Sequence, residues 1–312
     1  MNFIKADKRV LLVIGGCILV LAIILGCKEQ HGVNKFCIAV NKGEKKGIYI
    51  IDPTRKDNSG EKVYSDAAYD RYNVIDVFEN TIYFVAHSIK NNTYVISKIV
   101  NGQESILYED LQNMEMVRFT DDRQAILFFQ TDKRKAIRRE ESLYKYDFIT
   151  ERKTLVYDQE VLPAVGMLVC KNGVIFCVRE NNEFRLVMIN DGKLQKLSTG
   201  ALNMFWLKKD EIIAVYTMGK YYEYNLLTGI SKFLFKIQAD GIIDPEMSRD
   251  NKYVLAYRRS NLYADFGGEW PIVFDAHTGK IKLELKEYRR ALSCNRPSDV
   301  MDGFGGYSAR WQ

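Results

Sequence analysis

The sequence predicts an all-β protein: a six-bladed β-propeller of four-stranded antiparallel blades, preceded by an N-terminal hydrophobic signal or anchor helix. Three observations carry this. An apolar pentad recurs six times, at Phe36–Val40, Ile82–Ala86, Ile126–Gln130, Val174–Val178, Ile212–Tyr216 and Tyr253–Tyr257, with starts 46, 44, 48, 38 and 41 residues apart. Each pentad is followed by a second run, which usually closes on Asp or Asn with a turn behind it, as in Ile50–Asp52, Tyr144–Asp147, Tyr222–Asn225 and Ile272–Asp275. Finally, 19 Tyr and 16 Phe among abundant Val and Ile favour pleated, half-buried surfaces over helix. A small sheet cannot bury both faces alone, so repetition at this period implies sheets that cover one another in a ring.

The N-terminus comes first. Val10 to Leu25 is an uncharged, almost wholly aliphatic run behind Lys5, Lys8 and Arg9, the layout of an export signal or membrane anchor with everything after Cys27 facing outward. Ile24-Leu25-Gly26-Cys27 resembles the lipobox of bacterial lipoproteins, which implies lipidation at Cys27; a plain single-pass helix is the alternative. The expected organisation is residues 1–27 as signal peptide or anchor, 28–35 as tether and 36–312 as propeller, held on the extracytoplasmic face of a bacterial cell membrane. The formal charge of +5 includes +2 from the first nine residues, so the remainder is nearly balanced and no nucleic-acid partner is expected.

Within each unit the pentad is the second strand. Before it, in units two to six, stands a short innermost strand: Val74–Val77, Met116–Phe119, Met167–Cys170, Met204–Leu207 and Pro245–Met247. After the third strand comes a half-exposed outer one with alternating hydrophobicity, such as Glu61–Tyr64, Ser105–Tyr108 and Thr154–Tyr157. The five prolines fall in turns, connections or strand edges, where no ladder hydrogen bond is lost. Unit one lacks an innermost strand on its N-terminal side. Ser308–Trp311 resembles Met116–Phe119 and is expected to supply it, completing blade one.

Val117-Arg-Phe-Thr-Asp-Asp-Arg-Gln-Ala-Ile-Leu-Phe-Phe129 with Leu143–Asp147, and Met247-Ser-Arg-Asp-Asn-Lys-Tyr-Val-Leu-Ala256 with Val273–Asp275, resemble the repeat of the TolB-like six-bladed propellers. The resemblance covers residues 36 to 312. In that family the first turn commonly reads Ser-Pro-Asp-Gly, and no blade here keeps it whole. The resemblance implies an interaction or binding module more readily than a reaction.

Chemistry is sparse. Cys37, Cys170, Cys177 and Cys294 form an even set in an exported domain, so disulfides are permitted. An Asn172-Gly173 turn would place Cys170 opposite Ile175 and Cys177 opposite Leu168, diagonal to each other, which favours buried free thiols. The three histidines, His31, His87 and His277, fall too far apart for a paired site, and the chain has no nucleophile motif, phosphate loop or zinc spacing. No metal or cofactor is expected. Two connections between second and third strands are long, Thr131 to Ser142 and Arg258 to Pro271, and with Lys286 to Tyr307 they share one face. Arginines beside aromatics have the composition of binding hot spots, so Arg258, Arg259, Tyr263, Trp270, Arg289 and Arg290 are the expected contacts for a protein or envelope polymer. The competing expectation is a hydrolase or lyase acting on glycans or peptides with carboxylates from different blades in the central channel.

Overall fold

The computed structural model of the chain describes residues 35–41, 46–52, 60–131, 141–158, 166–171, 173–180, 183–197, 201, 203–217, 219–237, 242–248, 250–259, 268–286, 290–291 and 310–311. The expected anchor helix, Cys27 and most of the tether lie outside them. No helix among the described residues is long and apolar enough to cross a membrane.

Among the described residues, the strands form six antiparallel sheets. Blade one contains β1 (Phe36–Val40), β2 (Gly47–Ile51) and β3 (Gly60–Tyr64), with β25 (Arg310–Trp311) along the inner side of β1. Blade two is β4 (Tyr69–Phe78), β5 (Thr81–Ser88), β6 (Thr93–Val100) and β7 (Gln103–Asp110). Blade three is β8 (Glu115–Phe119), β9 (Ala125–Thr131), β10 (Glu141–Asp147) and β11 (Arg152–Tyr157). Blade four is β12 (Met167–Cys170), β13 (Gly173–Glu180), β14 (Glu183–Asn190) and β15 (Lys193–Lys196). Blade five is β16 (Asn203–Lys208), β17 (Ile212–Thr217), β18 (Lys220–Asn225) and β19 (Ser231–Lys236). Blade six is β20 (Ile242–Met247), β21 (Tyr253–Arg259), β22 (Gly268–Asp275) and β23 (Ile281–Glu284), and β24 (Arg290–Ala291) also pairs with β22.

The pentads are almost wholly apolar because each of their two faces enters a different core. In β9, Ile126 and Phe128 pack with Val85 and Ile96 of blade two, while Leu127 and Phe129 pack with Val174 and Phe176 of blade four. Six buried clusters result, one at each seam of the ring. The seam between the first and last blades joins Phe36, Ile38 and Ile51 to Leu255, Tyr257 and Val273. Beside it, Phe36 pairs with Trp311 and Cys37 with Arg310 across β1 and β25. Residues 308 and 309 lie outside the described residues.

Two local expectations change. The two long connections are shorter than the sequence suggests, 132–140 and 260–267, because the flanking strands run on: Glu141 pairs with Thr131, and Arg258 and Arg259 pair with Trp270 and Glu269. The β12–β13 register puts Leu168 opposite Ile175 and Cys170 opposite Gly173, two residues away from the expected pairing. A Cβ on Gly173 would stand 1.8 Å from the Ile189 carbonyl oxygen, so this close approach to the third strand admits only glycine. Cys37, Cys170 and Cys177 are buried free thiols. Burial pushes them up, to about 12 for Cys37 and about 11 for the other two. Cys294 lies outside the described residues.

The ring has two faces. On the turn face lie the connections from first to second and from third to fourth strands; on the loop face lie those from second to third strands and from blade to blade. The chain enters β1 on the turn face, where Lys35 forms an ion pair with Asp52 at 3.4 Å.

Candidate functional site

A cavity of about 340 Å³ opens at the centre of the turn face and runs along the innermost strands of blades two to six. Ile75 and Asp76 come from β4, Arg118 and Phe119 from β8, Met167 to Val169 from β12, Met204 to Trp206 from β16 and Pro245 to Met247 from β20. Each of these five blades contributes the same strand because the repeat puts its innermost strand at the axis. The wall is therefore a composite of five short segments far apart in sequence. Large apolar side chains share it with Asp76, Arg118, Asp121, Arg123, Lys209 and Glu246, a mixture suited to a partly apolar ligand bearing polar groups.

The turns that lead from first to second strands build the rim. In blade three the Thr120 hydroxyl donates to Asp122 Oδ1 at 2.6 Å, the Gln124 amide donates to the same oxygen at 3.0 Å, and the Ala125 amide donates to Thr120 Oγ1 at 3.0 Å. Blade six repeats this with Ser248, Asp250, Lys252 and Tyr253 at 2.6, 3.2 and 3.0 Å. These are the turns on which the sequence resemblance rests. Hydrogen bonding to Thr120 draws the Asp122 carboxyl below its usual range. Where the family carries glycine, these turns have Arg123 at φ 56° and Asn251 at φ 57°, in the left-handed region.

Arg123 uses that conformation. Its Nη2 donates to Asp76 Oδ2 of blade two at 2.9 Å, and its guanidinium lies 3.7 Å from the ring centroid of Phe78. Lys209, in the blade-five turn, forms an ion pair with Asp121 in the blade-three turn. Between them the Lys171 amide of blade four donates to Asp210 Oδ1 at 2.8 Å. Two ion pairs and one amide–carboxylate hydrogen bond thus connect four neighbouring blades around the mouth. The pairs are partly exposed, so they define its shape more than they stabilise it.

A second carboxylate arrangement lies elsewhere. Glu115 opens β8 and Glu141 opens β10; opposite Phe129 and Thr131 of β9, they stand on one face of the sheet at its loop-face end. Burial and the negative charge of Glu141 hold the Glu115 carboxyl well above the usual range. Burial pushes Glu141 up to about 7. Asn113 Nδ2 donates to Glu115 Oε1 at 3.3 Å. This pair is at the other end of blade three from the cavity. Among the described residues no three His, Cys, Asp or Glu come together in a way that could hold a metal ion.

The expected contacts on the loop face are partly assembled. Strand pairing puts Arg258 opposite Trp270, Arg259 opposite Glu269, and Arg290 opposite Glu269 through β24. Arg258 Nη1 donates to Glu284 Oε1 at 2.8 Å, and its guanidinium lies 5.7 Å from the Trp270 ring centroid. Trp270 is not the exposed loop aromatic expected from its position. It is 7% exposed, within β22 and in the core shared by blades five and six, because the strand extends to include it. Tyr263, Arg289 and the side chains of Arg259 and Arg290 lie outside what is described. His87, inside β5, has Nδ1 3.0 Å from the accepting oxygen Asp70 Oδ1 and Nε2 3.2 Å from Asn92 Oδ1, and its ring lies tilted 4.8 Å from that of Tyr94. His277 stands in a turn on the opposite face.

Sequence reasoning missed the cavity residues. Their only signal was position, since Arg118, Asp121, Lys209 and Glu246 each lie at or next to the end of an innermost strand.

The architecture is that of a TolB-like six-bladed β-propeller. The chain superposes on TolB from Acinetobacter baumannii with a TM-score of 0.60 at 13% identity, over 94% of this chain and 69% of that one. A putative TolB from Agrobacterium tumefaciens gives 0.55 at 9%, over 81% and 89%. A chain of a nidogen/laminin complex gives 0.58 at 11%, over 83% and 96%. A puromycin hydrolase gives 0.51 at 11%, over 85% of this chain but 46% of that one. No protein-family model matches the chain, and no curated protein matches its sequence. At these identities the likeness is one of fold.

Proposed function

We propose that this protein is a binding module of the bacterial cell envelope, tethered to the extracytoplasmic face of a membrane through its N-terminus, with the turn-face cavity as its ligand site for a protein segment or envelope polymer. The cavity carries the reading: five blades converge on one concavity whose apolar wall and charged rim offer burial and orientation together. Its charged rim residues are engaged with one another, Arg123 with Asp76 and Lys209 with Asp121, which suits recognition better than acid–base chemistry. The fold likeness to TolB and to a nidogen/laminin complex supports a recognition role.

The test is recovery of a partner from envelope extract by the full chain in detergent. Recovery is expected to fall about tenfold or more with Phe119→Ala or Arg118→Glu, the loss typical of a binding hot spot. It should persist with Arg258→Ala, on the other face. Equal recovery by all variants would remove the cavity from the proposal. The competing hydrolase or lyase would use carboxylates from different blades at the central cavity, Asp76 and Glu246. It requires glycan or peptide cleavage that disappears in Glu246→Gln.

A further inference from the structure

We infer that the ligand site continues from the central cavity into a groove between blades four and five, and that its occupant is an extended, uncharged peptide segment bearing an apolar side chain. The inference rests on the cavity reading and adds to it a second subsite and a class of ligand.

The groove comes from a difference between two seams built on one repeat. Between blades two and three the turn-face end is filled: Tyr83 and Phe148 pack on Phe119 with ring centroids 4.7 and 6.1 Å away, and Arg123 lies 3.7 Å over Phe78. Between blades four and five the same positions hold Ile175, Leu226, Trp206, Asp210 and Cys170. The equivalences follow from register and backbone. Tyr83 and Ile175 are third in β5 and β13, and Phe78 and Cys170 each pair with the residue that opens those strands, Thr81 and Gly173. Phe119 faces Ile126 as Trp206 faces Ile213, Phe148 and Leu226 follow the turn residues Asp147 and Asn225, and Arg123 and Asp210 share the left-handed region at φ 56° and 62°. Four of the five side chains are smaller here, and a groove of about 360 Å³ remains.

Its apolar wall is Cys170 with Met188 and Leu226, which pack on the core shared by the two blades. Leu227, 93% exposed, stands at the edge in a turn held by Asn225 Oδ1, which accepts from the Leu227 and Thr228 amides at 3.0 and 2.9 Å. A pinned aliphatic loses little conformational freedom when a ligand covers it. Groove and cavity adjoin: Val169 and Lys209 line the cavity, and the next residues, Cys170 and Asp210, line the groove. From Cys170 on the innermost strand to Gln195 on the outermost, the groove crosses three strand spacings, roughly 14 Å, the length of about four extended residues.

The lining selects the occupant. Lys171 and Asp210 are its charged residues and cancel, so neither an anion nor a cation is favoured. The carboxamides of Asn190 and Gln195 each donate and accept, which matches the alternating N–H and C=O of an extended backbone. Met188 and the two leucines take an apolar side chain, the thioether adapting to its shape. A sugar chain would find no aromatic ring to stack on among the described groove residues.

The experiment pans a display library of random dodecapeptides on the full chain in detergent, with a soluble peptidoglycan fragment assayed beside it. The enriched peptide, labelled with a fluorophore, is then titrated by anisotropy against Leu227→Asp, Cys170→Phe and Phe119→Ala. Cys170→Phe refills the groove as Phe78 fills the other seam, and Leu227→Asp alters an exposed side chain that the fold does not need. Each groove variant is expected to weaken the peptide about tenfold, as for a binding hot spot. Trimming the apolar residue from the peptide should abolish the effect of Leu227→Asp and leave that of Phe119→Ala. Binding that falls with Phe119→Ala but not with Leu227→Asp overturns the groove and leaves the cavity. Enrichment of no peptide, with binding of the peptidoglycan fragment that Phe119→Ala weakens, overturns the peptide and leaves the cavity. Binding that no variant weakens, or none to either probe, overturns both.

Discussion

At the residue scale, the most informative position is one where sequence and backbone disagree. Arg123 holds a left-handed conformation that costs a non-glycine residue about 1–2 kcal/mol. Its ion pair with Asp76 and its approach to Phe78 make use of that geometry at the cavity rim. Asn251, at the same point of blade six, is an exposed residue of a type that tolerates this region better. The two effects at Arg123 can be separated. Arg123→Ala keeps the backbone cost and loses both contacts, whereas Arg123→Gly loses the contacts but relieves the backbone. The glycine variant should be the more stable of the two by about 1 kcal/mol in chemical denaturation. Equal stabilities would show that the turn holds no strain.

At the scale of elements, strand register decides which side chains meet. Glu115 and Glu141 are 26 residues apart and belong to strands that do not pair with each other, yet β9 between them puts both on one face. Because the folded state holds both protons more tightly than the unfolded chain does, the pair favours folding below the ordinary carboxylate range near pH 4.5, and that contribution is lost as pH rises through about 7. Thermal midpoints should therefore fall between pH 5 and pH 8. Glu115→Gln together with Glu141→Gln should flatten the fall, and an unchanged profile in that double variant would discount the pair. Register also explains Trp270. Read from its neighbours, it belongs to a loop of glycines and charges; pairing with Arg258 draws it into β22 and under the blade-five core.

At the scale of the whole molecule, six seams must close for any one of them to be covered. The seam between blades six and one is flanked by the pairing of Phe36 and Cys37 with Trp311 and Arg310. Deleting residues 307–312 leaves β1 as an open edge beside that core. The midpoint should drop by roughly 5–10 °C, the shift that a loss of ~3 kcal/mol produces in a domain of this size. An unchanged melt would mean that the side-chain seam alone holds the ring. The repeat, its count and the order of strands in each blade were legible in the sequence, because a pentad buried on both faces has to be almost wholly apolar and the turns between such strands have to be polar. Those are local requirements, and they recur at each blade. The cavity was not legible, because its wall is assembled from single positions on five strands that only the ring brings to one axis. Nor was the meeting of Glu115 with Glu141, which depends on the pairing of β8, β9 and β10. Periodicity records how each strand is buried by its neighbours; which distant side chains share a mouth, a proton or a face is decided by closure of the ring, and that leaves no local trace in the chain.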